Sequence, residues 1–226
     1  MIWQLTDDPT LFPDPRYGEE DGLIAVGGDL SIERLAMAYS HGIFPWYGFK
    51  EEKEILWWCP MDRFVIFPDE IHISHSMRQL LHKGTYTTTI NQAFERVISH
   101  CSTNNGRHTQ RGAWLGNDMI KAYTEMHRLG LAASVEVWDQ QHQLVGGLYG
   151  VNIGYSFFGE SMFSKAPSAS KVALIALANH LQPFGGLIDC QFETPHLKSM
   201  GGRHIPYEEY MCIISSYRHD KEEHTT

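Results

Sequence analysis

The chain has 226 residues, 42 % of them hydrophobic and 20 % charged, which supports one large or two small packed domains and excludes a disordered or fibrous protein. No apolar run reaches the roughly 18 residues that span a bilayer, and Asp7 and Asp8 stand where a signal peptide is apolar, so no membrane partner and a cytoplasmic location are expected. The formal charge of −9 weighs against a nucleic-acid partner, because such binding is driven by Lys and Arg at phosphates.

In chain order, the first 60 or so residues mix turn signals with aromatics. Ser31 and Gly42 are the N-cap and C′ residue of a helix over Ile32 to Ser40. The stretches Ile43 to Tyr47 and Leu56 to Pro60 flank the acidic run 50–54, so residues 1–62 read as a small aromatic-rich N-terminal domain. A larger domain over 63–217 opens with a strand at Phe64 to Phe67, a helix from Ser76 to His82 ended by Gly84, and a β-prone run Thr85 to Ile90. A helix capped by Asn91 follows. The next, Asp118 to Leu129, is capped by Asn117, carries Met119, Ile120, Tyr123 and Met126 at helical spacing, and stops at Gly130. Three strand-like runs, 134–138, 144–151 and 155–159, are joined by segments short enough only for hairpins, which gives an antiparallel meander. Ser168 or Ser170 opens an apolar helix to His180, and Leu187 to Gln191 is another strand, so the pair fits a right-handed crossover. A short helix near 196–200, a strand near 203–205, a helix from Pro206 and a frayed polar tail, 218–226, complete the chain.

The fold class is therefore α+β, with a mixed, mainly antiparallel sheet that resembles the N-acetyltransferase (GNAT-like) arrangement. An acetyl-CoA enzyme needs a Gly-rich phosphate cradle between meander and helix. Here that segment reads Gly159 to Ser168 without the glycines, so the acyl donor expected is not coenzyme A.

Four separated cysteines without a CxxC pair suggest reduced thiols rather than disulfides or a zinc ribbon. No HExxH, GxSxG, P-loop or Rossmann fingerprint is present. What remains is polar groups in apolar settings. Asp189 and Gln191 lie two apart in an apolar strand, so two-residue periodicity puts both on one face; a buried acid accepting backbone N–H groups is the alternative for Asp189. Glu160 ends the strand through Gly159, either beside a ligand or on the surface. Trp114 follows the polar segment 104–112 with Arg107 and Arg111, where a base-stacking platform is more natural than core. His72 and His75 have helical spacing but no third partner, so no metal is implied. The charge is also uneven: residues 71–130 carry 7 basic and 3 acidic side chains and six of the 13 histidines. A basic face on an acidic body accommodates RNA after all, though a solvated helical face has the same composition.

Gly22 to Leu30 (GLIAVGGDL), His41 to Trp46 (HGIFPW), Ile55 to Pro60 (ILWWCP), His72 to Ser74, Val145 to Gly150 (VGGLYG), Phe158 to Ser164 (FGESMFS) and Leu187 to Gln191 (LIDCQ) closely resemble, in order, the leucyl/phenylalanyl-tRNA–protein transferase family. The resemblance runs from about residue 5 to 215. It implies a cytoplasmic enzyme that moves Leu, Phe or Met from aminoacyl-tRNA to the α-amine of proteins beginning with Lys or Arg, marking them for N-end rule degradation; because the ester is already activated, no metal or cofactor is expected, and the protein is expected to be a monomer. It further implies that Asp189, Gln191 and Glu160 are catalytic. Trp46, Trp114 and Tyr39 would surround the 3′ adenosine of the tRNA, and Leu148, Phe157, Met162, Leu177 and Ile188 would form the pocket for the amino-acid side chain. Leu148 and Leu177 replace a Met and a Phe of the family pattern. Arg78, Lys83 and Arg111 are expected on the tRNA backbone. A related aminoacyl transferase of other specificity, or a non-catalytic RNA-binding adaptor, is the alternative; the adaptor leaves Asp189 and Gln191 unexplained.

Overall fold

The computed structural model describes residues 2–47, 54–104 and 116–223. Two short strands, β1 (Trp3–Gln4) and β2 (Leu23–Val26), precede helix α1 (Ile32–Ser40), and β3 (Phe44–Tyr47) and β4 (Ile55–Trp58) follow it. Ser31 starts α1 as expected, its hydroxyl accepting the Arg34 amide at 3.3 Å, and Gly42, at φ +74°, turns the chain into β3. The four strands form a sheet in the order β1-β2-β4-β3.

The remaining elements are β5 (Asp62–Ile66), α2 (His75–His82), β6 (Thr87–Ile90), α3 (Phe94–Asn104), α4 (Asn117–Arg128), β7 (Ala132–Trp138), β8 (Leu144–Ile153), β9 (Ser156–Ser164), α5 (Ala169–Leu181), β10 (Ile188–Asp189), α6 (Pro195–Ser199), β11 (Arg203–Pro206) and α7 (Tyr207–Glu223). Their strands build a second sheet, β11-β5-β10-β9-β8-β7-β6. The meander β6 to β9 is antiparallel throughout, whereas β9 pairs in parallel with β10, the two strands that α5 connects. Strand alternation sorts the core: Leu148, Phe157 and Ile188 face α5, whereas Tyr149 and Phe158 face the other side. There they merge with Ile24 and Trp57 from the first sheet and Leu35 and Tyr39 from α1, so one apolar interior joins the two sheets. Val172, Ala173, Leu174, Ile175, Leu177 and Ala178 are buried in succession along α5, as an enclosed crossover helix requires.

Several boundaries differ from the sequence expectation. Asn91 does not cap α3; it sits at φ +60° and its Oδ1 accepts the Ser134 amide at 2.9 Å. The buried Glu136 carboxylate instead takes the N–H groups of the two residues just before the helix, Gln92 at 3.3 Å and Ala93 at 3.2 Å. Gly116 rather than Asn117 caps α4. Strand β9 continues to Ser164, through part of the segment read as a loop, and β10 stops at Asp189, short of Gln191. Helix α7 runs to Glu223, so residues 218–223 prolong a helix rather than trail from it.

Candidate active site

A cavity of about 420 Å³ lies where β9 and β10 run side by side, walled by residues from β3, β8, β9, α5, β10 and α6. All five residues expected in an apolar pocket line it: Leu148, Phe157, Met162, Leu177 and Ile188, joined by Leu174. Glu160 and Gln191 supply polar groups to the same wall, and Trp46 stands with Phe44 and Phe192 on another. The ring of Trp46 lies 5.8 Å from Phe192 and 6.5 Å from Trp58, which leaves it half-buried in an aromatic cluster at the cavity.

A bulge in β9 makes this arrangement possible. Phe157 and Met162 are five residues apart, so regular alternation would send them to opposite faces, yet both line the cavity. The ladder pairs Tyr149 with Ser161 and Gly150 with Gly159, which leaves Glu160 as the extra residue. A Cβ at Gly150 would collide with the Phe158 carbonyl, so glycine is what lets the strands close over the bulge. The bulge turns Glu160 toward two buried tyrosines. Tyr39 donates to its Oε1 at 2.7 Å, Tyr123 donates to its Oε2 at 3.1 Å, and the two hydroxyl oxygens lie 2.5 Å apart. Gln191 Nε2 donates to Oε1 at 3.2 Å. Burial pushes the Glu160 carboxyl from 4.5 up to about 7, against the two tyrosine hydrogen bonds, which favour the ion; Asp189 adds to the rise and Arg63 opposes it.

Asp189 occupies a different environment. It is fully buried, off the cavity wall, and gripped by Arg63, whose Nε reaches Oδ1 at 2.9 Å and whose Nη2 reaches Oδ2 at 2.7 Å. Tyr210 donates to Oδ2 at 2.8 Å, and the Gln191 backbone N–H donates to Oδ1 at 2.8 Å. Asp189 therefore acts on Gln191 through the main chain, not through a shared strand face. Gln191 sits at φ +60°, a backbone state that costs a residue with a side chain about 1–3 kcal/mol and persists only where the surroundings hold it. Arg63 is itself fully buried, with its guanidinium carbon 4.8 Å from the Phe44 ring centre and 4.9 Å from that of Tyr210. Burial alone would lower its pKa, but Asp189 raises it overall, so the guanidinium is cationic.

Tyr39, expected around the 3′ adenosine, is fully buried in α1, with its hydroxyl on Glu160. Arg78 and Lys83 are exposed on and just after α2, away from the cavity wall. Trp114 and Arg111 lie outside the described residues. His72 and His75 are exposed, and among the described residues no group of three or more His, Cys, Asp or Glu could hold a metal ion. Arg63, Tyr123, Tyr210, Phe192 and His196 are site residues the sequence reading did not assign. Only Arg63 carried a local signal, a lone cation in the apolar run Arg63 to Phe67. His196 lines the cavity with its Nε2 buried and without a hydrogen-bond partner among the described residues; burial lowers its pKa, with Lys171 adding to the effect.

Residues 65–215 match the family model for leucyl/phenylalanyl-tRNA protein transferase, and residues 28–61 match that for the N-terminal domain of the same family. A leucyl/phenylalanyl-tRNA–protein transferase of Anaeromyxobacter dehalogenans (strain 2CP-C) is 48 % identical over 95 % of this chain and 90 % of its own. One from Flavobacterium johnsoniae is 50 % identical over 91 % of this chain and 96 % of its own. Among solved structures, L-PGS from Bacillus licheniformis covers 76 % of this chain and 54 % of its own, at 12 % identity and a TM-score of 0.43.

Proposed function

Because the chain belongs to the leucyl/phenylalanyl-tRNA–protein transferase family, we infer that it is an aminoacyltransferase moving Leu, Phe or Met from aminoacyl-tRNA to the α-amine of proteins that begin with Lys or Arg. The observation that carries this is the apolar cavity with Glu160 and Gln191 on its wall. An aminoacyl ester is already activated and an α-amine titrates near 7.7–8.0, so transfer needs no covalent nucleophile. It needs the ester carbonyl held beside a positioned amine and a modest base.

In this reading Leu148, Phe157, Met162, Leu177 and Ile188 hold the donor side chain. Trp46 stacks near the 3′ adenosine, as does Trp114, and Arg78, Lys83 and Arg111 contact the tRNA backbone. Gln191 orients the incoming amine, held in place by Asp189 beneath it. An apolar pocket rejects charged donors strongly but separates Leu from Met weakly, since one methylene is worth about 1–3 kcal/mol. Residues 1–62 then form the N-terminal domain and 63–217 an acetyltransferase-like catalytic domain of a cytoplasmic monomer, and the modified proteins enter N-end rule degradation. Among the described residues no helix is long and apolar enough to cross a membrane.

The test is incubation with radiolabelled Leu-tRNA and two peptides that differ only in an N-terminal Arg or Ala. Label in the Arg peptide alone is expected; label in neither, or equally in both, overturns the assignment.

A further inference from the structure

Which group takes the proton of the attacking amine is a separate question, and two carboxylates stand close enough to ask it of. Asp189 has no free oxygen to offer: Arg63 bonds both, Tyr210 adds to one and the Gln191 amide to the other, and the group is fully buried away from the cavity. Protonating it would break a buried ion pair. Glu160 lines the cavity, and among the described residues its oxygens meet only neutral donors.

The hydroxyl arrangement around Glu160 shows room for one more proton. Glu160, Tyr39 and Tyr123 make three oxygen–oxygen contacts with one another, and the two hydroxyls supply at most two protons for them. While Glu160 is ionised, at least one contact lacks a hydrogen. A proton on Glu160 completes a ring, from Glu160 Oε2 to Tyr123, from Tyr123 to Tyr39, and from Tyr39 back to Oε1, with no heavy atom displaced. The β9 bulge that aims Glu160 into this ring is the same one that closes the apolar pocket.

We propose that Glu160, not Asp189, accepts the proton of the attacking α-amine, with Tyr39 and Tyr123 as its positioning residues; this rests on the aminoacyl-transfer reading above. The amine nitrogen bonds the ester carbonyl carbon and the bond from that carbon to the ribose oxygen breaks. The proton shed by the amine passes to Glu160 and then to the leaving ribose oxygen, which returns Glu160 to its ionised form. A carboxyl lifted by burial to about 7 is matched to this exchange, because it holds and releases a proton near neutral pH. The groups that set that balance are Tyr39 from α1, Tyr123 from α4, Tyr149 from β8, Arg63 from β5, and Asp189 with Gln191 at the end of β10.

The test is the pH dependence of kcat/KM for Leu transfer to an N-terminal Arg peptide, measured over about pH 5.5–9 in wild type, Glu160→Gln, Tyr39→Phe, Tyr123→Phe and Asp189→Asn. Wild type is expected to gain activity through a limb near 7 and a second limb near 7.7–8.0 from the acceptor amine. Glu160→Gln should lose the lower limb and about 10²–10⁴-fold in rate while still binding Leu-tRNA. Each Tyr→Phe variant removes a donor to the ion and should move the lower limb to higher pH, leaving the amine limb in place, a shift that a merely structural role would not produce. Asp189→Asn should slow the reaction yet keep the lower limb. A lower limb that persists in Glu160→Gln, or that vanishes in Asp189→Asn alone, overturns the assignment while aminoacyl transfer stands. Wild-type protein that transfers nothing overturns the transfer reading itself, and the assignment falls with it.

Discussion

Arg63→Met leaves the Asp189 carboxylate buried without its cation. Both side chains are fully buried and joined by the Nε and Nη2 bonds, and breaking such a pair from one side costs about 3–5 kcal/mol, because the surviving charge stays desolvated. Tyr210 and the Gln191 amide still donate to Asp189, which places the expected loss toward the lower end, about 3 kcal/mol. With a urea slope of about 2–3 kcal/mol/M, the unfolding midpoint should fall by about 1–1.5 M. Arg63→Met with Asp189→Leu removes the orphaned charge, so the double variant should regain at least half of that loss, a coupling that only contacting residues show. Urea unfolding of the wild type, both single variants and the double variant measures this cycle. A single Arg63→Met variant within about 0.3 M of wild type, or a double variant whose loss equals the sum of the singles, would refute the view of Arg63 and Asp189 as a mutually dependent clamp under Gln191.

The Glu160 carboxyl is raised from 4.5 to about 7, so the native state holds this proton more tightly than the unfolded chain. Its stabilising effect is complete below about 4.5 and is lost as pH rises through 7; Glu160→Gln should therefore gain about 2–3 kcal/mol on wild type between pH 4 and 8, and equal pH slopes in thermal melts would contradict this. Leu177→Phe fills part of the cavity and should lower the ratio of Phe to Leu transfer about tenfold, read from kcat/KM for the two charged tRNAs; an unchanged ratio removes Leu177 from the donor pocket. Gln191→Gly relaxes the φ +60° backbone and should stabilise the protein by up to about 1 kcal/mol while abolishing most turnover, a split that calorimetry and the transfer assay resolve.

Much of the fold was legible because its signals are local. The Ser31 cap, the glycine stops at Gly42 and Gly130, the hairpin lengths of the meander and the apolar crossover helix each act within a few residues. Several residues that line the cavity were legible as a set, but their arrangement was not. Two-residue periodicity placed Asp189 and Gln191 on one face, but β10 ends at Asp189 and the left-handed turn at Gln191 is fixed by the side chain of Asp189 itself. The bulge at Glu160 follows from the pairing with β8, which no window of β9 contains. Arg63 meets Asp189 126 positions away, and Tyr39 reaches Glu160 only because the two sheets share an interior.

In the proposed reaction the cavity under α5 holds the donor side chain beside Glu160 and Gln191. The most direct measurement is kcat/KM for one tRNA body charged in turn with Ala, Val, Leu, Met, Phe, Lys and Asp, using one N-terminal Arg peptide as acceptor. A rise with apolar size to Leu, Met and Phe is expected, with rejection of Lys and Asp by more than about 10³-fold, since the side chains of Leu148, Phe157, Met162, Leu177 and Ile188 carry neither charge nor hydrogen-bonding groups to offset burying an ion among them. Transfer of Lys or Asp at a rate comparable to Leu, or no dependence on apolar size, would contradict it.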